Sequence, residues 1–285
     1  MAGPITSQWF SGVNGVRLVA DVGGDARLPT VVLMHGGGQT RHSWGAAMKA
    51  LVEVGYHVIN YDACGHGESA WNPDGAYSVE ARSFDLRSVL SDIQTPCALV
   101  GASMGGITAI HAACKLRQPR IAALVLVDIV ARPSAQGVER IRRFMSAHLD
   151  GFESISEAID AVVAYNPHRL RQPDPNGILR NLREAPNGKL KWHWDPRLLS
   201  LTAESENRAL EEALAANPLA NRVPTLLIRG ALSDVVSDDG IADLKRHIPQ
   251  LEVVDVPNAG HTVSGDQNDA FISNVVHYVR RQLPI

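Results

Sequence analysis

The 285-residue chain predicts a doubly wound α/β fold, a mostly parallel sheet with helices on both faces. Short, nearly continuous apolar runs recur along it, and segments with apolar residues at three-to-four spacing separate them. Continuous apolar character, as opposed to alternation, marks strands buried on both faces. The rhythm breaks once, between residues 130 and 222, where helical patterns follow one another without a convincing strand.

The elements run in order. TVVLM at 30–34 is a buried strand, and the glycine run His35-Gly36-Gly37-Gly38 follows it directly. A helical pattern covers 41–54, HVINY makes a strand at 57–61, and a second helical pattern covers 78–93. CALV at 97–100 is the next strand, helix 104–116 follows, and IAALVLV at 121–127 is again a strand. Helical patterns at 137–148, 154–164, 178–184 and 204–216 fill the irregular stretch, with the proline- and aromatic-rich segments YNPHRLRQPDPNG and KWHWDPR between them. TLLI at 225–228 and LEVVDV at 251–256 resume the strands, and helices 238–247 and 269–282 alternate with them. Residues 1–129 and 223–285 therefore read as the core, and 130–222 as a helical cap inserted at the carboxyl edge of the sheet.

Composition narrows the function. The chain is 45% hydrophobic and 20% charged, with a net charge of −3, and no basic stripe marks it for nucleic acid or an anionic membrane. Neither a signal peptide nor a run of membrane-spanning length stands out, so a cytoplasmic protein is expected. Cys64, Cys97 and Cys114 are an odd count, two of them in apolar runs, as befits reduced, buried thiols. No His-Glu-x-x-His or paired Cys-x-x-Cys is present, and no cofactor is expected. GHGESA at 65–70 matches a dinucleotide fingerprint formally, but the turn-forming WNPDGAY follows it where a helix is required.

Chemistry concentrates at GASMGG, 101–106. A serine between small residues, after a strand and before a helix, has the pattern of a nucleophile elbow, and side chains at positions two before and two after would collide. The competing reading is a serine that merely caps the helix. A nucleophilic serine needs a base, and the base an orienting carboxylate. His261 in PNAGHTVSGD follows the last strand, and Asp234 in RGALSDVVSDDG follows the strand before it. Asp128, at the end of strand 121–127, is the alternative acid, whereas Asp238 and Asp239 begin the next helix. Backbone N–H groups of Met104 and Gly37 are the expected oxyanion donors, each worth roughly 3 kcal/mol to a transition state. Gly36, Trp44, Asp128, Trp192 and Trp194 are the expected substrate contacts; for Trp44, packing against helix 41–54 is the favoured role. Trp192, His193 and Trp194 cannot all face one way.

HGGG at 35–38, DACGHGES at 62–69, GASMGG, RGALSDVVS at 229–237 and AGHT at 259–262 together resemble the α/β-hydrolase superfamily, over most of the chain. The HGGGQTRHSW loop and KWHWDPR look like a bacterial subgroup of peroxidase-, esterase- and epoxide-hydrolase-like proteins. The resemblance implies an eight-stranded, mostly parallel sheet, a helical cap, Ser103 as nucleophile, His261 as base and Asp234 as acid. Cys64 departs from it, standing where relatives commonly carry arginine. Epoxide hydrolases and haloalkane dehalogenases of this fold use an aspartate at the elbow, so Ser103 argues against both. What remains is hydrolysis of an ester, lactone, thioester or amide through an acyl-enzyme. Carbon–carbon bond hydrolysis, perhydrolysis and a non-enzymatic ligand receptor are the alternatives. The expected partner is a small acyl substrate, with no nucleic acid and no membrane; a homodimer is the assembly left open.

Overall fold

The first two strands, β1 (Thr6–Ser11) and β2 (Arg17–Gly23), pair antiparallel as a hairpin. The computed structural model that shows this describes residues 3–116, 120–167, 174–219, 222–263 and 268–285. The hairpin adds two strands to those read from apolar runs. β1 is almost wholly exposed, so it carries no apolar signal of its own. The usable signal was Asn14-Gly15, where both residues take positive φ, 55° and 76°, the geometry of a tight hairpin turn.

β3 (Thr30–Met34), β4 (His57–Tyr61), β5 (Cys97–Ala102), β6 (Ile121–Val127), β9 (Thr225–Gly230) and β10 (Glu252–Val256) run parallel. The sheet order is β1-β2-β4-β3-β5-β6-β9-β10, eight strands with only the hairpin antiparallel to its neighbours. The continuous apolar runs are explained by two cores. Val32, Met34, Leu99, Leu124 and Leu126 point to one face, and Val31, Leu33, Val100, Val125 and Val127 to the other. Each fully buried Val or Leu contributes roughly 1.5–3 kcal/mol, so alternation has no polar side to show.

Helices α2 (Val79–Leu90) and α3 (Met104–Lys115) close the first face, α1 (Gly45–Glu53) and α9 (Asn268–Gln282) the second. α8 (Asp238–His247) joins β9 to β10. Asp238 and Asp239 lie in its first turn, where a helix N-terminus favours negative charge.

Between β6 and β9 lie α4 (Ala135–Ser146), α5 (Ile155–Tyr165), α6 (Pro175–Leu179) and α7 (Ala203–Ala216). A two-stranded ribbon, β7 (Leu182–Glu184) with β8 (Leu190–Trp192), interrupts them. The helix expected over 178–184 is thus corrected: it ends at Leu179, and the chain turns into a strand. Pro186-Asn187-Gly188 makes the turn, with Gly188 at φ 78° and the Ala185 N–H bonded to the Lys189 carbonyl. Part of the proline-rich stretch, residues 168–173, lies outside the described residues, as do 220–221. No described helix is long and apolar enough to cross a membrane.

Parallel strands put their carboxyl ends on one edge. The loops leaving β3, β5, β6, β9 and β10 there carry the glycine run, Ser103, Asp128, Asp234 and His261. Ligands of open α/β sheets bind at this edge.

Candidate active site

Ser103 stands between β5 and α3 at φ 47°, ψ −114°. A non-glycine residue with positive φ is strained, and such strain collects at functional positions. The surroundings enforce it. A Cβ on Gly101 would strike the Gly105 carbonyl, and one on Gly105 the Met34 carbonyl. Only small residues let α3 come this close to β5 and β3. The Ser103 side chain makes no capping hydrogen bond to α3, which disposes of the capping reading.

The glycine run is held from below by two buried histidines. His35 Nδ1 donates to the Gly36 carbonyl at 2.8 Å, and its Nε2 accepts from Ala63 N–H at 3.0 Å. His66 Nδ1 donates to the Cys64 carbonyl at 3.3 Å, and its Nε2 accepts from Gly38 N–H at 3.2 Å. Both rings are therefore neutral. Burial pushes each below the ordinary histidine range, His66 well below it, with the neighbouring His35 adding to the effect. The loop 62–70 after β4, which holds the fingerprint-like GHGESA at 65–70, is thus a brace. Asp62 in it accepts from the Arg41 N–H at 2.7 Å and the Glu68 N–H at 3.0 Å, as well as from the Arg41 guanidinium. Cys64, also in this loop, is buried and donates to the Ala70 carbonyl at 3.4 Å; burial raises its thiol to about 12, so it is inert.

Gly36 N–H bonds the Gln39 side-chain oxygen and Gly38 N–H bonds His66. Among the described residues, Gly37 N–H has no such partner, and Gly37 and Met104 both line the cavity over Ser103. Gly36 lies beside Ser103: a Cβ there would sit 3.6 Å from the Ser103 Cβ, an ordinary contact distance.

The histidine's partner is Asp128. His261 Nδ1 lies 2.7 Å from Asp128 Oδ2, and Asp128 is fully buried. Asp128 follows β6 directly and has φ 49°, so the chain bends sharply as the strand ends. Its other oxygen accepts from Gly230 N–H at 3.0 Å. The expected pairing of His261 with Asp234 is not formed, and the reason is visible. Asp234 faces α4, where Arg140 Nε and Nη2 clamp its two oxygens at 2.6 Å each. Burial pushes the Asp234 carboxyl up, but Arg140 outweighs it and holds it below the ordinary range. To meet Asp128, the His261 loop must cross the end of β9. Gly230 permits that, because a Cβ there would collide with the Ala259 and Gly260 carbonyls.

Ser103 and His261 open into one cavity of about 480 Å³. Ile141, Phe144 and Met145 of α4, Val162 of α5, Ile178 of α6 and Trp192 form an apolar wall. Phe144 stacks on Tyr165 at 4.2 Å and meets Trp192 at 5.8 Å, giving that wall a rigid aromatic centre. Gly36, Trp192 and Trp194 line the cavity as expected, while His193 does not, in keeping with alternation along an extended chain. Trp44 is corrected as a substrate contact: it is buried against Phe271 at 5.5 Å, on the far face of the sheet. Asp128, behind His261, does not line the cavity.

A model of the alpha/beta hydrolase family matches residues 31–274. The esterase Rv0045c of Mycobacterium tuberculosis is 32% identical over 263 residues, covering 89% of this chain and 83% of that protein. The sn-1-specific diacylglycerol lipase ABHD11 of Mus musculus is 29% identical, covering 90% of this chain and 82% of that protein. Among solved structures, E-2-(acetamidomethylene)succinate hydrolase superposes with a TM-score of 0.82 over 97% of this chain and 99% of that one; at 20% identity the likeness is one of fold.

Proposed function

The chain belongs to the alpha/beta hydrolase family and is a hydrolase enzyme of that fold; from this premise we propose that it cleaves carboxylic esters through an acyl-enzyme on Ser103. The observation that carries the reading is the convergence of strained Ser103 and His261 on one cavity, with Asp128 buried 2.7 Å behind His261. Relatives named as an esterase and a lipase support the ester class.

His261 takes the proton of the Ser103 hydroxyl as Oγ attacks the ester carbonyl. Asp128 holds the tautomer with Nδ1–H inward, leaving Nε2 free to act as base, and stabilises the imidazolium that forms. The carbonyl oxygen, now negative, is met by Gly37 and Met104 N–H, each worth roughly 3 kcal/mol in the transition state. His261 returns its proton to the leaving alcohol. Water, deprotonated by His261, then attacks the acyl-enzyme; the acyl bond to Ser103 Oγ breaks, His261 returns the proton to that oxygen, and the acid is released.

The segment between β6 and β9 acts as a cap that sets substrate choice. Its apolar wall suits an apolar acyl or alcohol group, and 480 Å³ is in the range of small-molecule sites. Labelling by a fluorophosphonate, with turnover of p-nitrophenyl esters of graded acyl length, tests the proposal. Labelling and a preference among chain lengths are expected; neither labelling nor turnover on any ester would sink it. Within that panel, Ile141→Ala and Phe144→Ala should shift relative kcat/KM between short and long acyl groups by about 1–3 kcal/mol, roughly 10- to 200-fold. An unchanged acyl profile in both variants would remove the cap from specificity.

A further inference from the structure

The loop after β9 resembled the acid-bearing loop of the family, yet its aspartate points to α4. Its neighbour takes another part. Ser233 Oγ lies 2.6 Å from Asp128 Oδ2, the same oxygen that receives His261 Nδ1 at 2.7 Å. Two backbone groups, Val235 N–H at 3.2 Å and Val236 N–H at 3.3 Å, donate to the Ser233 oxygen. A serine hydroxyl has one proton and two acceptor lone pairs. With both acceptor sites taken by N–H groups, its proton has one place to go, the Asp128 carboxylate.

We propose that Ser233 is a positioning residue of the triad, acting through Asp128 to fix the direction in which that carboxylate meets His261. The inference rests on the triad reading above. Gly230 N–H and Ser233 hold one carboxylate oxygen each, so together they fix the plane of the Asp128 carboxylate. Both residues belong to the turn that ends β9, closed by Ser233 N–H to the Gly230 carbonyl at 2.9 Å. The turn is therefore a cradle for a carboxylate carried by the neighbouring strand. Two other charges act on the pair, Arg140 on Asp128 and Asp234 on His261. They bind each other, and neither is a partner of the Ser233 hydroxyl.

The direction of the effect follows. Ser233 donates to the oxygen that also faces His261, so it draws some of the carboxylate charge away from the imidazole. Without that donor, more charge faces the imidazolium, and the basicity of His261 rises. The acid-side limb of the kcat/KM profile, where the base becomes unprotonated, should move to higher pH by about half a unit to one unit. kcat should fall about tenfold as the carboxylate gains freedom, with KM within about twofold, because Ser233 touches no substrate.

The test is the pH profile of kcat/KM and kcat for Ser233→Ala, Ser233→Cys and Ser233→Thr, with Asp128→Asn alongside. Ser233→Ala should show the upward-shifted limb and the kcat loss. Ser233→Cys, of similar size with a weak donor, should fall between it and wild type. Ser233→Thr, which keeps the hydroxyl, should restore the wild-type limb. Thermal unfolding of each identifies any variant that fails to fold, and the cysteine variant then carries the comparison. A wild-type profile in Ser233→Ala overturns the proposal, or in Ser233→Cys where Ser233→Ala does not fold, as does a loss of kcat with an unmoved limb. If Asp128→Asn itself retains wild-type kcat, the triad reading fails first; if it is crippled while the Ser233 variants match wild type, only the role of Ser233 falls.

Discussion

Asp128→Asn protein will fold and bind substrate as wild type does, and its kcat will be lower by about 10⁴-fold. The amide fills the same space, but it cannot present an anion to the His261 imidazolium. If its NH₂ turns toward Nδ1, it favours the wrong tautomer, and Nε2 becomes the protonated nitrogen. Asp128 is fully buried, so water cannot substitute for the lost charge. Asp234→Asn is the matched control. It weakens a clamp with Arg140 in which both partners are about one-third exposed, and exposed ion pairs of this kind are worth about 1 kcal/mol or less. Its kcat should stay within about fivefold of wild type. Steady-state kinetics on one p-nitrophenyl ester checks both. Equal damage in the two variants, or a crippled Asp234→Asn beside an active Asp128→Asn, would return the acid to the β9 loop.

Ser103→Ala will lose fluorophosphonate labelling and about 10⁶-fold in kcat. Its thermal stability will match wild type, because the hydroxyl caps nothing and alanine keeps the Cβ that makes φ 47° unfavourable. Ser103→Gly will be equally inactive yet more stable, by about 1 kcal/mol, because glycine adopts positive φ without that strain. Calorimetry of the two variants separates the strain from the chemistry. A Ser103→Gly protein less stable than Ser103→Ala would mean that the elbow stores no strain.

Burial on both faces made most strands of this fold legible in the sequence, but not β2, whose buried residues are interrupted by the half-buried Asp21. Six parallel strands announced themselves because Val31, Val32 and their counterparts each have a core to enter. β1 did not, since an edge strand exposed on nearly every residue need carry no pattern. The β7–β8 ribbon was hidden by its brevity; three residues per strand are too few to show a period, and Pro186-Asn187-Gly188 was its one signal. At the site, Ser103, His261 and the glycine run were legible because each sits at a strand end with an obligatory local neighbourhood. The acid was ambiguous for a physical reason. Asp128 and Asp234 both follow strands on the same edge in the order serine, acid, histidine, and linear order cannot tell which carboxylate faces inward. The deciding feature is Gly230, which allows the His261 loop to cross the end of β9 and reach Asp128. A glycine ending the strand just before a proposed acid was a readable sign that another chain segment passes over it.

The covalent intermediate tests the central claim most directly. Wild-type protein is mixed with p-nitrophenyl acetate, quenched in acid within the first turnovers, digested, and mapped by mass spectrometry. The expected result is an acetyl group on the peptide that contains Ser103, formed together with a burst of p-nitrophenol and absent from Ser103→Ala. Turnover that leaves Ser103 unmodified, or an acetyl group that persists on another residue in Ser103→Ala with activity intact, would contradict the assignment of Ser103 as the nucleophile.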